Sequence, residues 1–431
     1  MAHSQFALLF ERRFAPYFVT QFLGAFNDNV FKNALLLLIA FHAADRFTLS
    51  SDVMINLSAG LFVLPFFLFS GIAGQLADKY EKSRLIRQVK LLEIGIMLAA
   101  AAALILDQVA ALIALLFLMG AQSSLFGPVK YGLLPQVTEP GELLGANGLV
   151  ETGTFLAILL GTALGGVLIG VAAVGRELVA AAVVVLAVLG YLASRRIPVI
   201  PALAPALDIN WNPFSATAAT LRAAGASRMV LTGILGISWF WLLGSTYLAQ
   251  LPNYTRLTLG GDERVVTLLL TLFSIGVGVG SLLCERLSQR LLNLRLGPVG
   301  ALGMTVFGLD LGVLDGFAGD VLLGLGDWLE HGQARRVCAD VLLLGTAGGL
   351  YIVPLYTVVQ QRSDRTQRAR VIAANNVCNA LFMVVAALLA ALLLGSGLAI
   401  GQLFVYVSLS NLLVAALLVG AAPAFRATAV R

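Results

Sequence analysis

Two opposite charges stand four residues apart in the middle of the first apolar stretch of this chain. Pro16–Phe41 reads as one membrane-length helix, and its centre is Phe26-Asn27-Asp28-Asn29-Val30-Phe31-Lys32-Asn33. An acid or a base in a spanning helix is costly, about 2.5–3.5 kcal/mol each on insertion scales. Such groups face a protein interior or a water-filled path. At this spacing Asp28 and Lys32 share one helix face. Two chemistries are open to them: neutralising one another, or offering an anion and a cation to a ligand that carries both charges. Acid–base catalysis is not expected. His3, His42 and His331 are the only histidines, and none has a plausible acid or nucleophile partner in a spanning segment. His42 near Asp45 lacks the four-residue spacing of a phospholipid acyltransferase motif.

Other polar residues sit in apolar surroundings. Lys130, near the end of the fourth apolar segment, is either a phosphate contact or a snorkelling anchor or gate. Glu151 is either a second contact for an amine or a partner of Lys130. Glu93 is a candidate pair for Lys90 or Arg87. Asn27, Asn29, Asn147, Asn375 and Asn379 are either hydrogen-bond glue between helices or ligand contacts.

The elements that must position these residues are apolar helices. The 431 residues are 59% hydrophobic with a mean hydropathy of +0.91, and 12% are charged, against roughly 25% for a soluble domain. The fold class is an all-α polytopic membrane protein. Hydropathy marks spans at 15–41, 53–77, 85–106, 109–128, 144–171, 177–194, 229–249, 265–284, 296–317, 338–359, 371–394 and 400–421. Span 9 is marked least firmly, because it carries Asp310 and Asp315. The first segment is too long for a signal h-region and is expected to remain as span 1. Three scattered cysteines exclude a disulfide framework, and no metal site is expected. The positive charge serves topology, with no nucleic-acid partner. Twelve spans put both termini on one side, and 21 Lys and Arg fall on that side against six opposite. The termini are therefore expected in the cytoplasm.

The Pro-rich stretch from Arg195 to Arg228 divides six spans from six. The expected organisation is a bundle at 1–194, a cytoplasmic linker with an amphipathic piece at 195–228, and a bundle at 229–431. The halves echo each other. Pro128…Tyr131 followed by Ala146-Asn147-Gly148 corresponds to Pro354…Tyr356 followed by Ala374-Asn375-Asn376, at an offset of about 226–228 residues. Parallel repeats of this kind build the major facilitator fold. Glycines at 161, 165 and 166, and at 276, 278 and 280, are expected where helices approach closely.

The segment Gly74-Gln75-Leu76-Ala77-Asp78-Lys79-Tyr80-Glu81-Lys82-Ser83-Arg84 resembles the signature loop of the major facilitator superfamily. Gly74 permits a close helix contact, Asp78 caps or pairs, and Lys79, Lys82 and Arg84 supply inside charge. The resemblance makes Gly74, Asp78, Lys82 and Arg84 a cytoplasmic gating latch. Glu81 stands where the signature has glycine, so a different turn is expected. The second copy, Gly280 to Arg286, has Cys284 in place of the aspartate.

A narrower resemblance follows from Gln21 to Asn29, from Phe126-Gly127-Pro128-Val129-Lys130-Tyr131 to Pro135, from Gly145 to Glu151, and from Val353-Pro354-Leu355 with Gln360-Gln361-Arg362. These look like the bacterial lysophospholipid transporter family. With Trp239-Phe240-Trp241 they look closest to members often fused to acyltransferase and acyl-carrier-protein synthetase domains. No such domain lies before Arg431, so reacylation is expected on a separate protein. The resemblance implies an inner-membrane flippase, moving lysophosphatidylethanolamine and lysophosphatidylglycerol from the outer to the inner leaflet by alternating access. No ATP is implied, and no Gly-Lys pair exists to form a P-loop; no cofactor is expected. Substrate and gating contacts would be Asp28 on the ammonium, Lys32 or Lys130 on the phosphate, with Asn29, Glu151, Asn147 and Asn379 beside them. The family pattern has a basic residue in span 7. Here that span holds no charge before Arg256, and Lys32 is the candidate substitute. Two readings stay open beside this one. One is a proton-coupled exporter of small molecules or drugs, with Asp28, Glu93 and Glu151 carrying protons. The other is a membrane scaffold acting through the 195–228 linker.

Overall fold

The structure is a computed structural model of the 431-residue chain, and it describes residues 4–42, 51–139, 141–288, 292–319 and 321–427. The neighbourhood of His42 and Asp45 lies outside the described residues.

Helices account for nearly all of it: α1 (Ala15–His42), α2 (Ser51–Lys79), α3 (Lys82–Ile105), α4 (Val109–Val137), α5 (Leu143–Ile169), α6 (Gly175–Ser194), α7 (Pro213–Gly225), α8 (Arg228–Leu257), α9 (Glu263–Leu287), α10 (Leu296–Gly312), α11 (Leu325–Glu330), α12 (Ala334–Arg362), α13 (Arg368–Gly395) and α14 (Ile400–Ala427). Without water in a bilayer core, each spanning segment must satisfy its own backbone, which a helix does and an open strand does not. Ten of these helices are long and apolar enough to cross a membrane, and α10 is a shorter apolar helix. The polar run from Asn27 to Asn33 keeps α1 off that group by composition, though its 28 residues are long enough.

Several ends differ from the hydropathy reading. α4 runs on through Pro128 and Pro135 to Val137, nine residues past the expected end, and α8 passes Pro252 to Leu257. Hydropathy ends a span where polar residues begin. These helices continue because their last turns are buried against protein. α10 stops at Gly312, leaving Asp315 outside it. The amphipathic piece is α7, started by Asn212, whose side chain accepts from the N–H groups of Phe214 and Ser215 at 3.0 and 3.1 Å.

The chain forms two compact units. The first comprises Met1–Ala146, Leu156–Ser227 and Ser363–Ala380; the second comprises Asn147–Phe155, Arg228–Arg362 and Leu381–Arg431. In the first, Val30, Leu35, Met97, Leu112 and Val183 lie in one buried core shared by α1, α3, α4 and α6. α5 lies directly on α1: a methyl added at Gly165 would stand 2.5 Å from the Val30 carbonyl oxygen. In the second, α9 and α12 are equally close, with a methyl at Gly276 only 2.2 Å from the Leu342 oxygen. Apolar lipid gives helices no hydrophobic reason to associate, so small residues that admit close van der Waals packing hold them together.

Candidate functional site

About three helical turns into α1, the first unit carries a buried polar cluster. Its centre is Glu93 of α3. The Glu93 carboxylate accepts from Lys90 Nζ at 2.6 Å, from Asn27 Nδ2 at 3.0 Å and from Gln122 Nε2 at 3.2 Å. Lys90 and Glu93 are each 1% exposed. Lys90 Nζ also lies 5.1 Å from the centroid of the Phe126 ring. Of the two sequence candidates for Glu93, Lys90 is the partner; Arg87 turns to Ser83 instead.

Asp28 borders this cluster and is half-buried. Its Oδ2 accepts from Ser123 Oγ of α4 at 2.8 Å, and its buried Oδ1 has no hydrogen-bond partner among the described residues. No ion pair joins it to Lys32 among the described residues. Lys32 Nζ instead sits 5.6 Å from the Phe62 centroid on α2. Sharing a helix face therefore does not make them a pair here. Each keeps capacity for another charged group.

The remaining candidates divide by what already holds them. Asn29 returns its Nδ2 to the Ala25 carbonyl at 2.7 Å, within its own helix. Lys130 is buried, its ammonium 4.9 Å from the Tyr131 centroid and its carbonyl accepting from the Tyr17 hydroxyl at 3.0 Å. In the second unit, Asn147 exchanges amide hydrogen bonds with Gln360 at 2.6 and 3.1 Å and donates to Thr357 Oγ1 at 3.2 Å. That is the geometry of glue between α5 and α12. Glu151 is fully buried one turn further along α5. Asn379 is half-buried on α13. An aromatic group surrounds Phe155, with Trp241 stacked at 6.2 Å and Phe240 edge-on at 6.2 Å.

The signature loop forms a latch within the first unit. Asp78 is fully buried, and its carboxylate accepts from the backbone N–H groups of Ala369 and Arg370 at 3.0 and 3.3 Å and from Arg370 Nε at 3.1 Å. It therefore caps the positive N-terminal end of α13. Gly74 makes room for this: a methyl there would come within 2.8 Å of the Arg370 Cα. Glu81, in the usual glycine position, is extended at φ −62° and caps α3. It accepts from the N–H of Ser83, Arg84 and Ile200, each at 2.8 Å. Burial pushes the Glu81 carboxyl up, but these donors outweigh it and hold it below the ordinary range. The turn has no need of glycine, because Glu81 takes a backbone conformation open to any residue. Arg84 is exposed, as an inside charge should be. Lys82 is not: it is 1% exposed, near Asp78 and Arg368, and belongs to the buried latch.

Sequence reasoning quoted Gln360 only as part of a family motif and missed Arg370, Gln122 and Ser123. The Gln122-Ser123-Ser124 run inside an apolar helix was a usable signal for the last two. Arg370, one residue before the expected span at 371–394, carries no signal that sets it apart from other loop cations.

Comparison with known proteins places this architecture. The Major Facilitator Superfamily model matches residues 17–387, and the chain belongs to that superfamily. Within it, the chain groups with proteins named lysophospholipid transporter LplT. That of Serratia proteamaculans is 28% identical over 368 residues, covering 83% of this chain and 82% of the relative. That of Escherichia coli O7:K1 is 32% identical over 356 residues, covering 81% and 80%. Solved structures share the fold at lower identity. The human organic anion transporter MFSD10 has a TM-score of 0.74 at 14% identity, covering 94% of this chain and 99% of that one. The proton:xylose symporter XylE has 0.71 at 13%, covering 95% and 94%.

Proposed function

We propose that this chain is a lysophospholipid flippase of the bacterial inner membrane, a transporter and not an enzyme. It moves lysophosphatidylethanolamine, and lysophosphatidylglycerol, from the outer to the inner leaflet by alternating access, both termini lying in the cytoplasm. The products are then reacylated by a separate acyltransferase or acyl-carrier-protein synthetase. The bundles at 1–194 and 229–431, joined by 195–228, are the moving parts.

One observation carries the substrate assignment beyond the names of the relatives. In mid-membrane α1, Asp28 and Lys32 do not pair among the described residues, and one Asp28 oxygen has no donor there. A zwitterionic headgroup supplies what each lacks: an ammonium for Asp28 and a phosphate for Lys32, which binds it as a point charge. Lys130, Glu151, Asn29, Asn147 and Asn379 are proposed as contributors to the path or its gates, and the Gly74–Asp78–Lys82–Arg84 loop as the latch.

The test is uptake of labelled lysophosphatidylethanolamine from the outer leaflet of reconstituted liposomes, without ATP or ion gradient. Uptake by the wild-type chain and its loss in Asp28→Ala are expected. Uptake only under a proton gradient would move the function to proton-coupled transport, and no lipid movement under either condition would remove the substrate assignment.

A further inference from the structure

A second charged site lies at the N-terminal end of α1, away from the polar centre at the middle of that helix. A cavity of about 930 Å³ is lined by Arg12, Arg13, Arg87, Arg195 and Arg196, all in the first unit. Among the described residues, no acidic side chain contributes to its lining. Arg13 is neutralised by Glu142 at 2.8 Å and Glu11 at 2.5 Å. The other four are not. Arg87 is fixed without being neutralised: its Nε donates to the Ser83 carbonyl at 3.1 Å and its Nη2 to Ser83 Oγ at 2.7 Å. Arg12, Arg195 and Arg196 are exposed and form no ion pair among the described residues. The rest of the wall is apolar, made by Pro16, Ile197, Pro198 and Val199.

Topology alone does not account for this convergence. Positive charge that fixes orientation works equally well when scattered over loops. Four uncompensated guanidinium groups around one concavity repel each other unless an anion joins them. The cavity sits where α1 and α3 begin and α6 ends, and the ends of spanning helices are where lipid headgroups lie. Guanidinium forks match phosphate oxygens in a bidentate fashion, and apolar walls beside them suit the glycerol and upper acyl carbons. Basic pockets between helices on the cytoplasmic side bind anionic headgroups for these reasons.

We propose that this cavity binds the phosphate of an anionic diacyl phospholipid, separately from the Asp28 site. Pro16 and Asp28 are twelve residues apart, about 18 Å along the helix. A lipid held there ties the start of α1 to α3 and to the end of α6. The orientation proposed above decides only which leaflet supplies the lipid.

Native mass spectrometry of the purified full chain tests this, with phosphatidylglycerol, phosphatidylcholine or inorganic phosphate added in turn. The wild-type chain should retain phosphatidylglycerol in preference to phosphatidylcholine. Arg12→Gln/Arg87→Gln/Arg195→Gln/Arg196→Gln should weaken that binding by at least about tenfold, and the corresponding four-lysine variant should recover part of it. Arg195→Gln/Arg196→Gln, which alters only exposed side chains, serves if the quadruple variant does not fold, and should also weaken binding. Millimolar inorganic phosphate should displace no lipid. Asp28→Ala should keep the phosphatidylglycerol adduct even where it abolishes uptake, so failure of the transport reading and failure of this one are distinguishable. Equal retention by wild-type and glutamine variants, equal retention of the two lipids, displacement by inorganic phosphate, or loss of the adduct in Asp28→Ala would each overturn the proposal.

Discussion

Within the polar centre of the first unit, Lys90 and Glu93 are bound to each other, whereas Asp28 and Lys32 are not, and the two cases predict opposite behaviour. Removing one member of a buried pair leaves an uncompensated charge, at about 3–5 kcal/mol, while replacing both with apolar side chains of similar volume is close to neutral. Lys90→Met should therefore lower the thermal midpoint in detergent sharply, and Lys90→Met/Glu93→Leu should recover most of it. A double variant as unstable as the single one would show that Glu93 matters chiefly through Asn27 and Gln122. Asp28→Asn should behave differently. It keeps the size of the side chain and can still accept from Ser123, so the midpoint should stay within about 1 kcal/mol of wild type while uptake falls. Asn375 offers a further contrast. It occupies the repeat position of Asn147, yet its amide, 1% exposed, has no partner among the described residues, whereas Asn147 has Gln360 and Thr357. Asn375→Leu should be neutral or stabilising in the same melt, and Asn147→Leu should cost about 1–3 kcal/mol by stranding Gln360.

At the scale of elements, the α2–α3 connection makes two helix caps within four residues. Asp78 caps α13, and Glu81 caps α3. Asp78→Ala removes an acceptor from two backbone N–H groups and from Arg370, an expected loss of about 2–3 kcal/mol. Glu81 adds a pH dependence of known sign. Its folded carboxyl ionises below the ordinary value of about 4.3, so the unfolded chain takes up the proton first. Its contribution is complete above about pH 5, and it is lost as the pH falls through the folded value. Melts of the wild-type chain and Glu81→Gln should differ at pH 7 and converge toward pH 3. This region also shows how far sequence reaches. The loop's resemblance marked Gly74 and Asp78, because a methyl-free contact and a capping acid are properties of single residues. It did not reveal that Arg370, nearly 300 residues away, completes the latch, or that Lys82 is buried, because both depend on where α13 starts in space. Apolar run length located the helices. It misplaced the end of α4 because Lys130 and Tyr131 interrupt the apolar run, and only the packing around them carries the helix on to Val137.

For the whole molecule, charge counting and helix counting are independent arguments about orientation. Lys82, Lys90 and Lys130 are buried and cannot act as inside anchors, yet the remaining cations on that side still outnumber the six opposite. Helix counting depends most on α10. Its 17 residues span about 26 Å at 1.5 Å per residue, short of a hydrocarbon core of about 30 Å. A short helix can still cross, because the bilayer thins and flanking residues reach outward at modest cost. Val199, 74% exposed, precedes α8, and Val321, 76% exposed, follows α10. A crossing α10 puts three crossings, by α8, α9 and α10, between them, and the two positions are then predicted to face opposite sides of the membrane. With Cys284, Cys338 and Cys378 replaced by serine, Val321→Cys should react with a membrane-impermeant maleimide in intact cells. Val199→Cys should react only after the membrane is opened. Reaction of both from the same side would remove α10 as a crossing and with it the twelve-helix count. The reverse pattern would keep the count and invert the orientation, placing the arginine cavity and the Asp78 latch on the outer face.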